Sequence, residues 1–223
     1  SMIKDFFYED DDFYTQMPDD EFRGLILNAQ KKLNDENITY QIITNIYKDL
    51  INYLKTDQFL IQTNIYLRVS RPNNNNNDSI GWHRENFYAP NADNYINVWT
   101  PIEGVNKLNT IKYIPESQLL KNEDIETVNI DDEVTKRYSS GHKIGLMYSP
   151  KKILSGVNFE QQKPMLVPYY ASSIFSGNLI HGAAQNNSNT TRFSLDFRII
   201  DEKFYDKNYN KKHHHASGKE YFT

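Results

Sequence analysis

The segment 191–199, TRFSLDFRI, alternates apolar and polar side chains without interruption. The apolar and the polar set face opposite ways on a strand: Phe193, Leu195, Phe197 and Ile199 against Arg192, Ser194, Asp196 and Arg198. The segment 64–70, NIYLRVS, repeats the pattern, with Tyr66 and Arg68 on its polar side. Such strands predict a sheet with one packed face and one wet face. If helices cover the apolar faces, the polar faces line an interior suited to a small anion; plain exposure to solvent is the alternative.

The composition excludes several classes of protein. The 223 residues fit one domain, and the absence of cysteine excludes disulfides, iron–sulfur clusters and thiolate metal sites. With 29 acidic and 25 basic residues and a net charge of −4, nothing favours nucleic acid as a partner. No apolar run approaches the ~20 residues of a membrane span. We expect a cytoplasmic protein that acts on a small molecule, and we read the tract 211–218, KKHHHASG, as a charged tail.

Two amphipathic helices are predicted near the start of the chain. In 19–33, DDEFRGLILNAQKKL, apolar residues recur every three or four positions after Pro18 and two aspartates. The segment 39–54, TYQIITNIYKDLINYL, continues the same rhythm. Two such helices need an apolar surface to cover.

From residue 59 the period changes to two, which is typical of strands. The predicted strands are 62–70, 79–85, 94–101, 108–114, 141–149, 164–168, 171–176 and 190–200. No helical pattern separates them, so we expect a mainly β fold with N-terminal helices, a mostly antiparallel jelly-roll sandwich or barrel. The expected organisation is a single domain: helices in 1–58, a β core in 59–200 with an excursion at 116–140, and a tail in 201–223.

A metal-binding pair lies in 80–88, IGWHRENFY. His83 and Glu85 are two residues apart, so on a strand they would face the same way and could approach one ion together. Two ligands bind a metal weakly, and a third is expected from a distant strand. His181 is preferred because it ends the apolar segment 172–180 at a glycine-flanked turn, whereas His142 reads as an ordinary surface or strand histidine.

Two histidines and one carboxylate leave three metal positions open, as in non-haem Fe(II) oxygenases. A His-x-Glu pair alone is a weak signal. Arg192, eleven residues after His181, and Ser194 on the same strand face strengthen it. A guanidinium there can grip a carboxylate with two hydrogen bonds, and the hydroxyl can supply another.

The order WHRE, then HGAAQNNSNTTRFSLDFR, resembles the Fe(II)/2-oxoglutarate-dependent oxygenases, specifically their phytanoyl-CoA-dioxygenase-like branch. The resemblance covers roughly residues 60–200 and implies a double-stranded β-helix, the cupin-like jelly roll. It includes 95–118, YINVWTPIEGVNKLNTIKYIPESQ, where Gln118 stands in place of the branch's histidine. Because that position is not a metal ligand in the family, the departure casts little doubt on activity.

The resemblance implies a role for each site residue. His83, Glu85 and His181 would hold Fe(II), while Arg192 and Ser194 would bind the far carboxylate of 2-oxoglutarate, with O2 as co-substrate. Glu85 replaces the commoner aspartate, and a carboxylate at this position argues against halogenation. Inward-facing candidates for the other 2-oxoglutarate carboxylate, or for supporting contacts, are Asn97 first, then Tyr66 and Arg68. Candidates for substrate contact are Tyr88 and Trp99, although Trp99 fits core packing equally well.

The expected reaction is hydroxylation of a small polar metabolite or a sugar-type biosynthetic intermediate. This preference over an acyl-CoA follows from branch members with endings similar to TRFSLDFR, which include predicted enzymes of aminoglycoside and surface-saccharide biosynthesis. Two alternatives remain open: a metal-binding cupin-type isomerase or epimerase, which would not need Arg192, and a catalytically silent binding domain. The sequence leaves the substrate and the oligomeric state open.

Overall fold

The fold is given by a computed structural model, which describes residue 7 and residues 15–72, 78–88, 92–130, 149–168, 171–183, 185–206 and 222–223. The predicted strand at 141–149 lies almost wholly outside the described residues. His142, the histidine tract and the second half of the 116–140 excursion lie outside them as well.

Both predicted helices are confirmed. Helix α1 spans Asp19–Asp35 and begins after Pro18, with three acidic residues in its first turn, where they complement the helix dipole. Helix α2 spans Ile38–Leu54. The helices bury an apolar stripe each, and the buried residues are Phe22, Ala29 and Leu33 in α1 and Ile43 and Leu50 in α2. No helix among the described residues is long and apolar enough to cross a membrane.

Within the described residues, ten strands form three antiparallel sheets. The largest sheet contains β1 (Phe59–Ile61), β2 (Tyr66–Ser70), β3 (Tyr95–Glu103), β8 (Ser173–Ser176) and β10 (Arg192–Asp201). A second sheet has the order β7 (Lys163–Pro164), β4 (Ile111–Tyr113) and β9 (His181–Ala183), and β5 (Glu126–Asn129) pairs with β6 (Lys151–Ser155). Every described pairing is antiparallel, as the sequence predicts for the jelly-roll class.

The large sheet has the two faces that the alternation predicts. On β10, Phe193, Leu195, Phe197 and Ile199 join one apolar core with the buried residues of α1 and α2. The polar side chains of the same strand line a pocket on the opposite face. The helices therefore close one side of the sheet and direct its polar face towards the second sheet.

The prediction of a strand at 79–85 is wrong. Only His83 pairs there, in an isolated antiparallel bridge with His181, and a 3₁₀ turn begins at Glu85 (Glu85–Phe87). The turn forms because the N–H of Phe87 donates to the carbonyl of Arg84, 3.0 Å away, which ends any extended pairing. The position of Glu85 therefore follows from this turn and not from strand alternation.

The hairpin of β5 and β6 lies partly in the predicted excursion and was not predicted. Its strands are mostly exposed, and Ile153 is the buried side chain that it contributes. With Ile125 just before β5, Ile153 packs in a small core with Phe87, Ile114 and Ile180. The β5–β6 hairpin therefore packs against the 3₁₀ turn that contains Glu85, and it does so outside the pocket.

Candidate active site

Three potential metal ligands meet at one point. His83, Glu85 and His181 are buried, and each offers a ligand atom within 4.8 Å of the others. The bridge between the histidines explains why residues so far apart in sequence are neighbours. Each backbone N–H donates to the carbonyl of the other residue at 2.9 Å, and the ring centroids are 4.4 Å apart.

Both imidazoles are oriented by backbone carbonyls. Nδ1 of His83 lies 2.7 Å from the carbonyl oxygen of Gly81, and Nδ1 of His181 lies 2.8 Å from that of Leu179. A carbonyl can only accept, so each Nδ1 carries the proton and each Nε2 keeps its lone pair for a metal. Burial lowers the pKa of His83 to about 3, with the neighbouring His181 adding to the effect, and burial also lowers the pKa of His181. Both rings are therefore neutral near pH 7, as metal ligation requires.

The Glu85 carboxylate is held by Arg198. Nη2 of Arg198 donates to Oε1 at 3.1 Å and Nε donates to Oε2 at 3.2 Å. Burial raises the pKa of Glu85, but the charge and hydrogen bonds of Arg198 oppose burial, and the pKa is lowered overall. Glu85 is thus a buried anion close to two neutral imidazoles, a donor set that suits a divalent cation.

Arg84, between the two ligands in sequence, points away from them. Its Nη1 donates to the carbonyl of Leu120 at 3.0 Å, and its Nη2 donates to Oδ1 of Asn122. The same Asn122 oxygen accepts from Nδ2 of Asn86. These bonds attach the ligand segment to the 3₁₀ turns at the start of the 116–140 excursion.

The ligands lie beside a pocket with about 460 Å³ of empty space, part of it open to solvent. Much of its polar lining comes from the inner face of the large sheet, and its apolar lining includes Trp99 and Phe175 of the same sheet and Ile111 of the second sheet.

Arg192 is a buried cation at the side of this pocket. It is 1% exposed, and no carboxylate of the described residues forms a salt bridge with it. Its Nη1 donates to the carbonyl of Asn109 at 2.8 Å, while its Nε has no partner within the described part of the chain. Burial, with a contribution from Arg68, lowers the pKa of Arg192 to about 10, so the group stays charged at neutral pH.

Two other buried polar groups of the pocket lack partners among the described residues. They are Oγ of Ser194 and Nδ2 of Asn97, which are 0% and 3% exposed as residues. A buried donor without a partner costs about 1–3 kcal/mol. Together with Nε of Arg192, three buried polar atoms without a partner among the described residues therefore belong to residues that line this pocket.

The other predicted residues are placed as follows. Arg68 lines the pocket, but its guanidinium is held by Asp196, with Nε 2.5 Å from Oδ1. Tyr66 lies under Arg68, 4.7 Å from ring centre to guanidinium carbon, and is not among the described residues that line the pocket.

Tyr88 contacts the ring of His83 edge-on, with centroids 5.5 Å apart. Trp99 lines the pocket and also packs in an apolar cluster with Phe175, so its position is compatible with both substrate contact and core packing.

Arg198 and Asp196 were missed as site residues, although the alternation of 191–199 places both on the face of Arg192. Phe175 and Ile111 were also missed, and no sequence signal separates them from ordinary core residues. The strand alternation of 191–199 is thus the signal that could have identified Arg198 and Asp196.

The chain matches the phytanoyl-CoA dioxygenase (PhyH) family model over residues 9–194. No curated protein matches it significantly. Among solved structures, EvdO2 from Micromonospora carbonacea var. aurantiaca is 13% identical with a TM-score of 0.49, covering 68% of this chain and 56% of that one. The α-ketoglutarate-dependent epimerase SnoN from nogalamycin biosynthesis is 15% identical with a TM-score of 0.46, covering 77% and 61%. The non-heme monooxygenase ThoJ is 15% identical with a TM-score of 0.43, covering 64% and 46%. The chain thus spans about half the length of these proteins.

Proposed function

Because the chain belongs to the phytanoyl-CoA dioxygenase family, we propose that it is an Fe(II)- and 2-oxoglutarate-dependent oxygenase that hydroxylates a small polar metabolite. The observation that carries the proposal is the joint presence, at one pocket, of a His, Glu, His ligand set and a buried arginine without a carboxylate partner among the described residues. A metal site alone would not need that arginine.

The residues present fit both cofactors of the family. Two Nε2 lone pairs and a carboxylate suit Fe(II) and leave further positions for other ligands. The dicarboxylate 2-oxoglutarate offers acceptors for the three groups that lack partners, namely Arg192, Ser194 and Asn97. We assign the far carboxylate to Arg192 and Ser194 and the carboxylate nearer the metal to Asn97, with Arg68 and Tyr66 as supporting groups.

When bound, iron and 2-oxoglutarate supply the oxidising power, with O2 consumed, 2-oxoglutarate converted to succinate and CO2, and oxygen inserted into a substrate C–H bond. The protein contributes position and exclusion of water. The backbone carbonyls of Gly81 and Leu179 hold the imidazole protons on Nδ1, so the Nε2 lone pairs of His83 and His181 would be available to hold the metal. Trp99 and Phe175 form a dry wall on which an apolar part of the substrate can pack, with Tyr88 beside His83 as a further contact.

The preference for a small polar metabolite is supported by a pocket that is lined by both polar and apolar side chains. A sugar-type intermediate has hydroxyl groups for the polar wall and C–H faces for the aromatic wall. A cytoplasmic location stays a prediction from the sequence.

The decisive test is anaerobic. Fe(II) and 2-oxoglutarate are added to the purified protein, and the weak visible charge-transfer band of the chelate is recorded for the wild type and for Arg192→Met. We expect a band in the wild type and a loss of 2-oxoglutarate affinity well beyond about tenfold, or 1.4 kcal/mol, in the variant.

The matched control is Arg23→Met, which removes a half-buried arginine of α1 that pairs with Asp19 and Asp20. It should keep the wild-type band. A wild type that bound Fe(II) but gave no band would favour the non-oxidative, cupin-type alternative. A band that survived in Arg192→Met would show that the anchor is a different residue.

A further inference from the structure

Glu85 is a longer ligand than the usual aspartate, and the local backbone does not fix its carboxylate. It lies at the start of a 3₁₀ turn, and the glutamate has one more rotatable bond than aspartate. Space for the extra methylene comes from Gly177, where an added Cβ would lie 3.1 Å from Cγ of Glu85 and 2.7 Å from the carbonyl oxygen of Tyr95. The carbonyl of Gly177 also accepts from the N–H of Glu85 at 2.8 Å. The chain is thus shaped to admit glutamate, but its carboxylate still needs orientation.

Arg198 supplies that orientation, and its own position is fixed in turn. Its third nitrogen, Nη1, donates to Oδ2 of Asp196 at 2.6 Å. Asp196 also accepts two bonds from Arg68, at 2.5 and 3.3 Å. A continuous chain of charge-assisted hydrogen bonds therefore runs from Arg68 on β2 through Asp196 and Arg198 on β10 to Glu85. Because a guanidinium is planar and rigid, this chain fixes the plane of the Glu85 carboxylate.

The two hydrogen bonds from Arg198, here called the fork, also occupy the side of the Glu85 carboxylate from which a metal would bind both oxygens. Nε and Nη2 of Arg198 each take one oxygen of Glu85, so the guanidinium approaches both oxygens together. A metal bound by both oxygens of a carboxylate approaches in the same way. The two modes exclude each other.

We propose that Arg198 is a positioning residue that restricts Glu85 to one coordinating oxygen and so keeps a metal position open for 2-oxoglutarate. The inference rests on the proposed function. It concerns the number of oxygens that Glu85 gives to the metal, and its consequence is that Arg198 controls 2-oxoglutarate binding without touching 2-oxoglutarate. Loss of the fork would let Glu85 take a second metal position.

The test uses Co(II) in place of Fe(II), because the intensity of its visible absorption reports coordination number and it is stable in air. In Arg198→Met we expect Co(II) to bind at least as tightly as in the wild type, with a changed spectrum. The affinity of the Co(II)-loaded protein for 2-oxoglutarate should fall at least about tenfold. Arg198→Lys keeps the charge without the planar fork and should resemble Arg198→Met in both readouts.

The matched control is Arg71→Met, which removes a buried arginine of equal charge whose carboxylate partners are Asp78 and Asp19. Its Co(II) spectrum without 2-oxoglutarate should be that of the wild type. Thermal unfolding verifies that each variant is folded, and Arg198→Lys serves as the test if Arg198→Met does not fold.

Two results would overturn the inference alone. The first is an unchanged Co(II) spectrum and an unchanged 2-oxoglutarate affinity in both folded Arg198 variants. The second is loss of Co(II) binding in these variants, which would mean that Glu85 binds the metal only when Arg198 is present. A wild type that bound no Co(II), tested beforehand, would overturn the proposed function and this inference together.

Discussion

The metal end and the anchor end of the pocket are built differently. At the metal end, the two imidazoles and the Glu85 carboxylate each have a hydrogen-bond partner from the protein that orients them. At the anchor end, Arg192, Ser194 and Asn97 each bury a polar atom that has no partner in the described part of the chain. The ligand atoms of the first end are already oriented by the protein, whereas the second end has polar atoms that a ligand could hydrogen-bond. The difference separates a site prepared for a small cation from one that awaits an anion.

The largest expected effect is at the metal end. His181→Ala removes one of three ligands and leaves the others in place, so affinity for Fe(II) or Co(II) should fall by at least about 100-fold, more than the loss of a supporting contact alone. Calorimetric titration under anaerobic conditions measures it. The control Glu123→Gln removes an exposed carboxylate paired with Lys121 and should leave the affinity unchanged. A loss below about threefold in His181→Ala would remove His181 from the ligand set.

A second prediction compares two buried arginines that are each 1% exposed. Arg84→Met breaks the bonds to Leu120 and Asn122, so it should lower the free energy of unfolding by about 1–3 kcal/mol. Arg192→Met removes a buried cation that donates one bond, from Nη1 to the carbonyl of Asn109, against the two bonds of Arg84, so the ligand-free protein should lose less stability, at most about 1 kcal/mol.

Urea unfolding of the ligand-free variants measures both changes. Equal destabilisation by the two substitutions would mean that Arg192 is an ordinary structural residue, and the contrast between the two ends would fail.

Part of the site could be predicted from the sequence, because the alternation in 191–199 shows which side chains of that strand face the apolar core and which face the pocket. The family resemblance, both helices and the antiparallel class are confirmed. The strand at 79–85 was wrong because a 3₁₀ turn depends on one local hydrogen bond that alternation does not reveal. The carboxylate partner of Arg198 could not be inferred, since Glu85 and Arg198 are far apart in sequence and meet only through the turn. The β5–β6 hairpin was missed because its exposed strands carry almost no hydrophobic pattern.

The pH dependence of stability should come first from the metal end. The folded protein keeps His83 and His181 neutral, with pKa values below the ordinary 6.5 and that of His83 at about 3, whereas the unfolded chain binds protons near 6.5. The unfolded state therefore gains protons first, and stability of the metal-free protein should fall as the pH drops below about 6.5, by up to ~1.4 kcal/mol per pH unit for each imidazole that stays neutral, with the contribution of His83 extending to about pH 3.

Between pH 6.5 and 5 the carboxylates Glu85 and Asp196, whose pKa values are lowered, contribute little to this slope. His83→Gln should make the slope shallower in that window, as measured by urea unfolding at several pH values. An unchanged slope would show that His83 is not held neutral in the folded protein.

The smallest expected effect tests the anchor end with a single hydroxyl. Ser194→Ala removes an oxygen that has no partner among the described residues, so the ligand-free protein should lose no stability, while affinity for 2-oxoglutarate should fall about fivefold, the equivalent of ~1 kcal/mol. The matched control is Ser117→Ala. Its hydroxyl is equally buried but donates to the carbonyl of Ile114 at 2.7 Å and accepts from the N–H of Ile180 at 2.8 Å, so its loss should cost stability and leave the affinity unchanged. If Ser194→Ala instead lowered stability and left the 2-oxoglutarate affinity unchanged, Ser194 would be a structural residue, and the anchor end would consist of Arg192 and Asn97 alone.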